Sequence, residues 1–116
     1  MLGNNENANP AEFLLHSLAG CVTSTFFIHA TARGINIESI STTLEGDMDL
    51  QGFLALDKSV SPGFEKIRVK MDVQADCSDE ELNDLIAFTQ EHSTVAQSLL
   101  RPVPVTLERD TSSSAR

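Results

Sequence analysis

The sequence predicts an α+β domain in which one long central helix packs on a sheet. Three observations predict it. Phe13 to Ala32 is an apolar stretch without a single Asp, Glu, Lys or Arg. Phe64 to Ala75 alternates Ile67, Val69, Met71 and Val73 with Arg68, Lys70, Asp72 and Gln74, the period of a half-buried strand. Ser78-Asp79-Glu80-Glu81 is a capping signature ahead of a second helix. A chain of 116 residues, 41% hydrophobic, forms one domain over residues 1–116 with a small core.

In chain order, residues 1–8 are polar and Asn-rich, a loose lead-in. Asn9-Pro10-Ala11-Glu12 then starts the first helix: Asn9 caps, Pro10 suits the first position, and Glu12 reaches back to the cap. The helix continues to Arg33 and stops at Gly34. Its polar positions are small (Ser17, Thr23, Ser24, Thr25, Thr31), and a helix apolar nearly all round is buried nearly all round. A chain this short cannot wrap it alone, so a sheet covers one side and a second subunit the other.

Ile35 to Leu50 reads as a strand, with Gly46 marking a bulge or bend. Gln51 to Gly63 reads as a loop closed by Ser61-Pro62-Gly63. The second helix spans about 79–91 with Leu82, Leu85, Ile86 and Phe88 inward, and a short helical piece at 94–100 follows. Pro102 to Leu107 reads as an edge strand, because proline removes ladder donors, and 110–116 as a disordered tail.

The formal charge of −9, from 17 acidic and 8 basic side chains, repels phosphate backbones and anionic membranes. Nucleic acid and membrane are therefore excluded as partners. No apolar run approaches the ~18 residues of a membrane span, and residues 1–9 lack a signal-peptide pattern, so a cytoplasmic protein is expected. No Cys-x-x-Cys occurs and His16, His29 and His92 are scattered, so neither a metal nor a cofactor is expected. His16 and His29, thirteen positions apart, fall on different faces of the helix.

Cys21 is the residue on which function turns. A thiol in an apolar helix is either inert filler or a sheltered nucleophile. Reactivity needs a thiolate, and apolar burial works against one. Arg33 lies about 18 Å along the helix from Cys21, too far to assist, which leaves Arg68, Lys70 or Arg101 to approach through the fold. Gly20 beside it gives room either to a substrate or to a crossing helix. Phe13, Phe26 and Phe27 suit a core or a pocket for an apolar substrate. His92 next to Ser93 raises a hydroxyl–base pair that adjacency alone does not establish. A Cys21–Cys77 disulfide requires Cα atoms within about 7 Å.

Four segments carry a resemblance: Asn9 to Leu15 with Leu18-Ala19-Gly20-Cys21; Ala32-Arg33-Gly34-Ile35; Glu45-Gly46-Asp47-Met48-Asp49-Leu50-Gln51-Gly52-Phe53-Leu54; and Ser93 to Val105. Over roughly residues 9–106 the sequence resembles the OsmC/Ohr family of osmotically inducible and organic-hydroperoxide-resistance proteins. The resemblance implies a long central helix on an antiparallel sheet, in an intertwined homodimer with active sites at the subunit interface. It implies hydroperoxide reduction, with Cys21 at the peroxide-attacking position and a thiol or dithiol as reductant. The family's acidic partner directly follows the proline. Here Ala11 does, and Glu12, one position later, is the residue carried over to that role beside its role as a cap. The family's resolving cysteine is matched by Ser93, which cannot form a disulfide, so an external thiol must resolve Cys21. The family's activating arginine lies on strands upstream of the helix, and no residue here matches it, which points to a shortened form. The alternative is an inactive dimer of the same fold, acting as a small-molecule binding or stress-related scaffold protein.

Overall fold

The computed structural model describes residues 9–111. The expected lead-in at 1–8 and the tail beyond residue 111 lie outside the described residues. Six elements follow one another: α1 (Pro10–Ala32), β1 (Ile37–Met48), α2 (Leu50–Phe53), β2 (Phe64–Ala75), α3 (Asp79–His92) and α4 (Thr94–Leu100).

The caps of α1 form as read. The Asn9 side chain accepts from the Glu12 N–H and Glu12 Oε1 accepts from the Asn9 N–H, both at 2.9 Å. At the other end Gly34 takes a φ of +75°. The Gly34 N–H reaches the Thr31 carbonyl at 3.0 Å and the Ile35 N–H the Ala30 carbonyl at 2.9 Å, a Schellman motif. Ile35 thus belongs to the cap, which is why the strand begins later than its apolar pattern implies.

β1 and β2 pair antiparallel, with Ile40 opposite Val73, Thr42 opposite Met71 and Leu44 opposite Val69. The register shifts between Asp47 and Met48, one residue beyond the expected bend at Gly46. The Phe64 ring fills the space a Cβ on Gly46 would need. The 51–63 segment is not loop throughout. Asp49 accepts from the Gln51 N–H at 2.9 Å and caps α2, and the Ser61 backbone lies against Gly52 where a side chain would collide.

The expected strand at 102–107 does not form. Residues 102–111 carry no regular structure, and the sheet among the described residues consists of β1 and β2 alone. Pro102 and Pro104 offer no N–H to a ladder, and no strand lies alongside to accept the rest.

The core sits along one stripe of α1: Leu18, Val22, Phe26 and Ala30, spaced four apart and all buried. Leu18 and Val22 pack with Ala96 of α4 and with Leu44, Ile67 and Met71 of the sheet. Phe26 and Ala30 pack with Leu85 of α3, and with Ile40, Met71 and Val73. Burying Phe26 and Leu85 completely contributes about 2–3 kcal/mol each. On the opposite face Phe13, Phe27 and Ile28 are 59%, 52% and 62% exposed. α1 is long and apolar enough, by length and composition, to cross a membrane. This corrects the expectation that no apolar run approaches that length: the Ser, Thr and Gly positions of α1 lower its mean hydropathy too little to exclude it. Here α1 is the helix on which sheet, α3 and α4 pack.

Candidate active site

α3 runs antiparallel to α1, so Arg33 meets Asp84, His29 meets Phe88 and Cys21 meets Ser93. This brings the corner between α3 and α4 against the middle of α1. Cys21 flanks the buried stripe and is half-buried. Ser93, with no exposed surface, is the whole of the corner: it is the C-cap of α3 and the N-cap of α4.

Ser93 is held from every side. Its N–H donates to the Thr89 carbonyl at 2.8 Å and its carbonyl accepts from the Gln97 N–H at 2.9 Å. Its Oγ accepts from the Ala96 N–H at 3.3 Å and donates to Cys21 Sγ at 3.1 Å. The capping role makes the oxygen an acceptor toward α4, which leaves its single proton for the sulfur. Sulfur in the acceptor role is the thiolate-favouring arrangement.

The Cys21 thiol is accordingly held below the ordinary cysteine range. The Ser93 hydroxyl is the largest cause, followed by the Val95 N–H; burial opposes them, and Thr25 Oγ1 and the Thr94 N–H add smaller contributions in the same direction. Thr25 Oγ1 stands 4.0 Å from the sulfur. No cation among the described residues contributes. The charge that lowers the thiol is the partial positive charge of a hydroxyl and of the first amides of α4.

The expected cations are elsewhere. Arg68 forks onto Asp47 at 2.9 and 3.0 Å and reaches Glu45 at 3.2 Å. Arg68 and Lys70 alternate with the residues that face α1, so they project from the far side of the sheet. Arg33 pairs with Asp84 at 2.8 Å, and Arg101 caps the far end of α4.

Glu12 stands in the capping box, about 13 Å along the α1 axis from Cys21, and the protomer does not bring the two together. Cys77 precedes the α3 cap, a helix length of about 21 Å from the Ser93 end. Both cysteines are free, so the Cys21–Cys77 bridge does not form. Burial first, then Glu81, Asp76 and Asp79, push the Cys77 thiol up.

His92 does not serve Ser93. Its Nδ1 lies 2.8 Å from the Phe88 carbonyl and its ring stacks on Phe88 at 3.9 Å. His29 meets the same ring edge-on at 4.8 Å, while His16 packs near Phe13. Among the described residues no group of three or more His, Cys, Asp or Glu side chains is placed to hold a metal.

An apolar groove of about 1090 Å³ runs beside the site, with Leu14, Leu18 and Val22 on one wall and Ile67, Met71 and Ala96 among the others. Cys21 adjoins it through Leu18 and Val22 without lining it. Nothing stands within 4 Å of a Cβ built on Gly20, so the protomer leaves open space beside Cys21. Of the Phe residues weighed as core or pocket, Phe26 is core, while Phe13 and Phe27 are exposed on the other face.

Sequence reasoning singled out Cys21 but missed the amides of Thr94 and Val95, and weighed Ser93 as the wrong residue for a disulfide and as a partner for His92, not as a donor to Cys21. The available signal was Ser93 as the cap of the predicted 94–100 helix, which fixes where its hydroxyl points.

The family model described as OsmC-like protein matches residues 3–108. The fold resembles the crystal structure of an OsmC-like protein from Mycoplasma pneumoniae, at a TM-score of 0.73 and 20% identity over 84% of this chain and 68% of that one. It also resembles an OsmC-like protein of unknown function from Vibrio cholerae O1 biovar eltor str. N16961, at a TM-score of 0.68 and 16% identity over 82% of this chain. The match spans 60% of the Vibrio chain. At these identities the likeness is one of fold. A search of the curated proteins found no match.

Proposed function

Because the chain belongs to the OsmC-like protein family, we propose that it reduces organic hydroperoxides through Cys21, with an external thiol as resolver. The observation that carries this reading is the Ser93 hydroxyl donating to Cys21 Sγ at 3.1 Å. A thiolate is the species that attacks the O–O bond, and this donor, with the α4 amides behind it, favours the thiolate without a cation.

In the proposed cycle the sulfur attacks the terminal peroxide oxygen. The S–O bond forms as the O–O bond breaks, the thiol is oxidised to a sulfenic acid, and the peroxide leaves as an alcohol after taking the thiol proton. A reductant thiol then condenses with the sulfenic acid, releasing water and leaving a mixed disulfide. A second reductant thiol displaces Cys21 and closes the cycle. Ser93 has no sulfur to offer and Cys77 is a helix length away, so both reducing equivalents come from outside.

Two copies assembled through the exposed face of α1 would cover Phe13, Phe27 and Ile28 and bring a partner's residues beside Gly20. Glu12, remote from Cys21 within one chain, has a catalytic role only across that interface.

That no cation among the described residues contributes at Cys21 favours a second reading: a dimer of the same fold that binds a small apolar molecule in the groove along Leu14, Leu18 and Val22. Cumene hydroperoxide with a dithiol decides between the two. Turnover that disappears in Cys21→Ser supports the peroxidase; no turnover by the parent protein, or turnover unchanged in the variant, removes it.

A further inference from the structure

We infer that Gln97 is a positioning residue for the Cys21 site: by clasping α4 to the last turn of α3, it holds the corner from which the Ser93 hydroxyl reaches the sulfur. The inference rests on the reading of Cys21 as a working thiolate.

A single residue, Ser93, separates the two helices. The backbone bonds at the corner, Ser93 N–H to Thr89 and Gln97 N–H to Ser93, each continue the ladder of one helix. They fix each helix end and leave the angle between the helices to the torsions of one residue. The Gln97 side chain spans that angle: its Nε2 donates to the Gln90 carbonyl at 2.8 Å. Gln90 is among the last four residues of α3, whose carbonyls have no partner inside the helix. The clasp therefore satisfies an otherwise unpaired acceptor and sets the direction of α4 in one contact.

That direction matters because three of the groups that lower the Cys21 thiol, the Ser93 hydroxyl and the Val95 and Thr94 amides, lie on the corner. Hydrogen bonds weaken steeply with misalignment, so swinging α4 weakens all three together. The Gln97 side chain bonds Gln90 and does not line the groove beside the site; it acts through Ser93.

The test is the pH profile of Cys21 alkylation by iodoacetamide, in a Cys77→Ser background. Gln97→Met keeps the length without the donor; Gln97→Asn keeps the amide one methylene too short. Both are expected to move the inflection upward and slow alkylation at neutral pH about three- to tenfold, with helical content and cooperative melting retained. A lowered inflection in the parent that neither variant shifts overturns the clasp alone. A parent profile like that of a free thiol overturns the clasp and the peroxidase reading together. A parent with an activated thiol that shifts in the variants, yet consumes no hydroperoxide, supports the clasp and removes only the peroxidase.

Discussion

Ser93 and Cys21, 72 positions apart in sequence, share one proton-directed contact of 3.1 Å, and the serine that makes it is also the cap of a helix. Stability and chemistry meet in that hydroxyl. As acceptor it starts α4; as donor it faces the sulfur.

Ser93→Ala should therefore cost twice. Loss of the cap lowers unfolding free energy by about 1 kcal/mol, read by urea denaturation. Loss of the donor raises the pH at which Cys21 alkylates. A variant with weakened stability but an unchanged alkylation profile would show that the amides suffice alone.

Ser93→Cys places a second sulfur where the hydroxyl meets Cys21. An S–S bond of about 2.05 Å needs only a small approach from there. One equivalent of hydroperoxide should convert this variant to an internal disulfide, seen by mass spectrometry as the loss of two hydrogens. The parent should instead give a sulfenic acid trapped by dimedone. A variant that keeps both thiols free after oxidation would show that the two side chains cannot align.

The depressed Cys21 thiol also ties stability to pH. The folded state loses this proton at lower pH than the unfolded chain does. The contribution is complete above the unfolded value and disappears as pH falls through the folded one. In a Cys77→Ser background, unfolding free energy should rise with pH across that alkaline window, and Cys21→Ser should remove the rise. Cys77 works in the opposite direction, since its thiol is pushed up, which is why it must be silenced first.

Phe26→Ala and Phe27→Glu separate the two faces of α1. Phe26 has no exposed surface and touches α3 and the sheet, so truncation should cost about 3–5 kcal/mol. Phe27 is 52% exposed in one chain. If a second copy covers that face, Phe27→Glu should give a folded monomer by sedimentation; a dimer undisturbed by the charge would place the interface elsewhere.

Much of the fold was legible because its signals are local. Asn9 with Glu12, and Ser78 with Glu81, form reciprocal hydrogen bonds within one turn, and Gly34 stops α1 through a conformation that favours glycine. The β2 alternation likewise needs no partner to be read. The expected 102–107 strand shows the limit of such signals. Val103, Val105 and Leu107 have strand-like spacing, but a strand exists only where a neighbour accepts its ladder. The long loop hid α2 for a related reason: Asp49 starts a helix of four residues, too short to show a period.

The sequence by itself determined where α1 and α3 start and where α1 stops. Each of these follows from hydrogen bonds and periodicities spanning a few residues. Only the tertiary structure decided which groups face the thiol. Arg68, Lys70 and Arg101 were available by composition, yet the pleat turns the first two away from α1 and the third lies at the wrong end of α4. A serine 72 positions away took their place because α3 runs back along α1 and ends opposite the sulfur. No local pattern encodes that direction, since it is set by how Leu85 packs on Phe26 and Ala30.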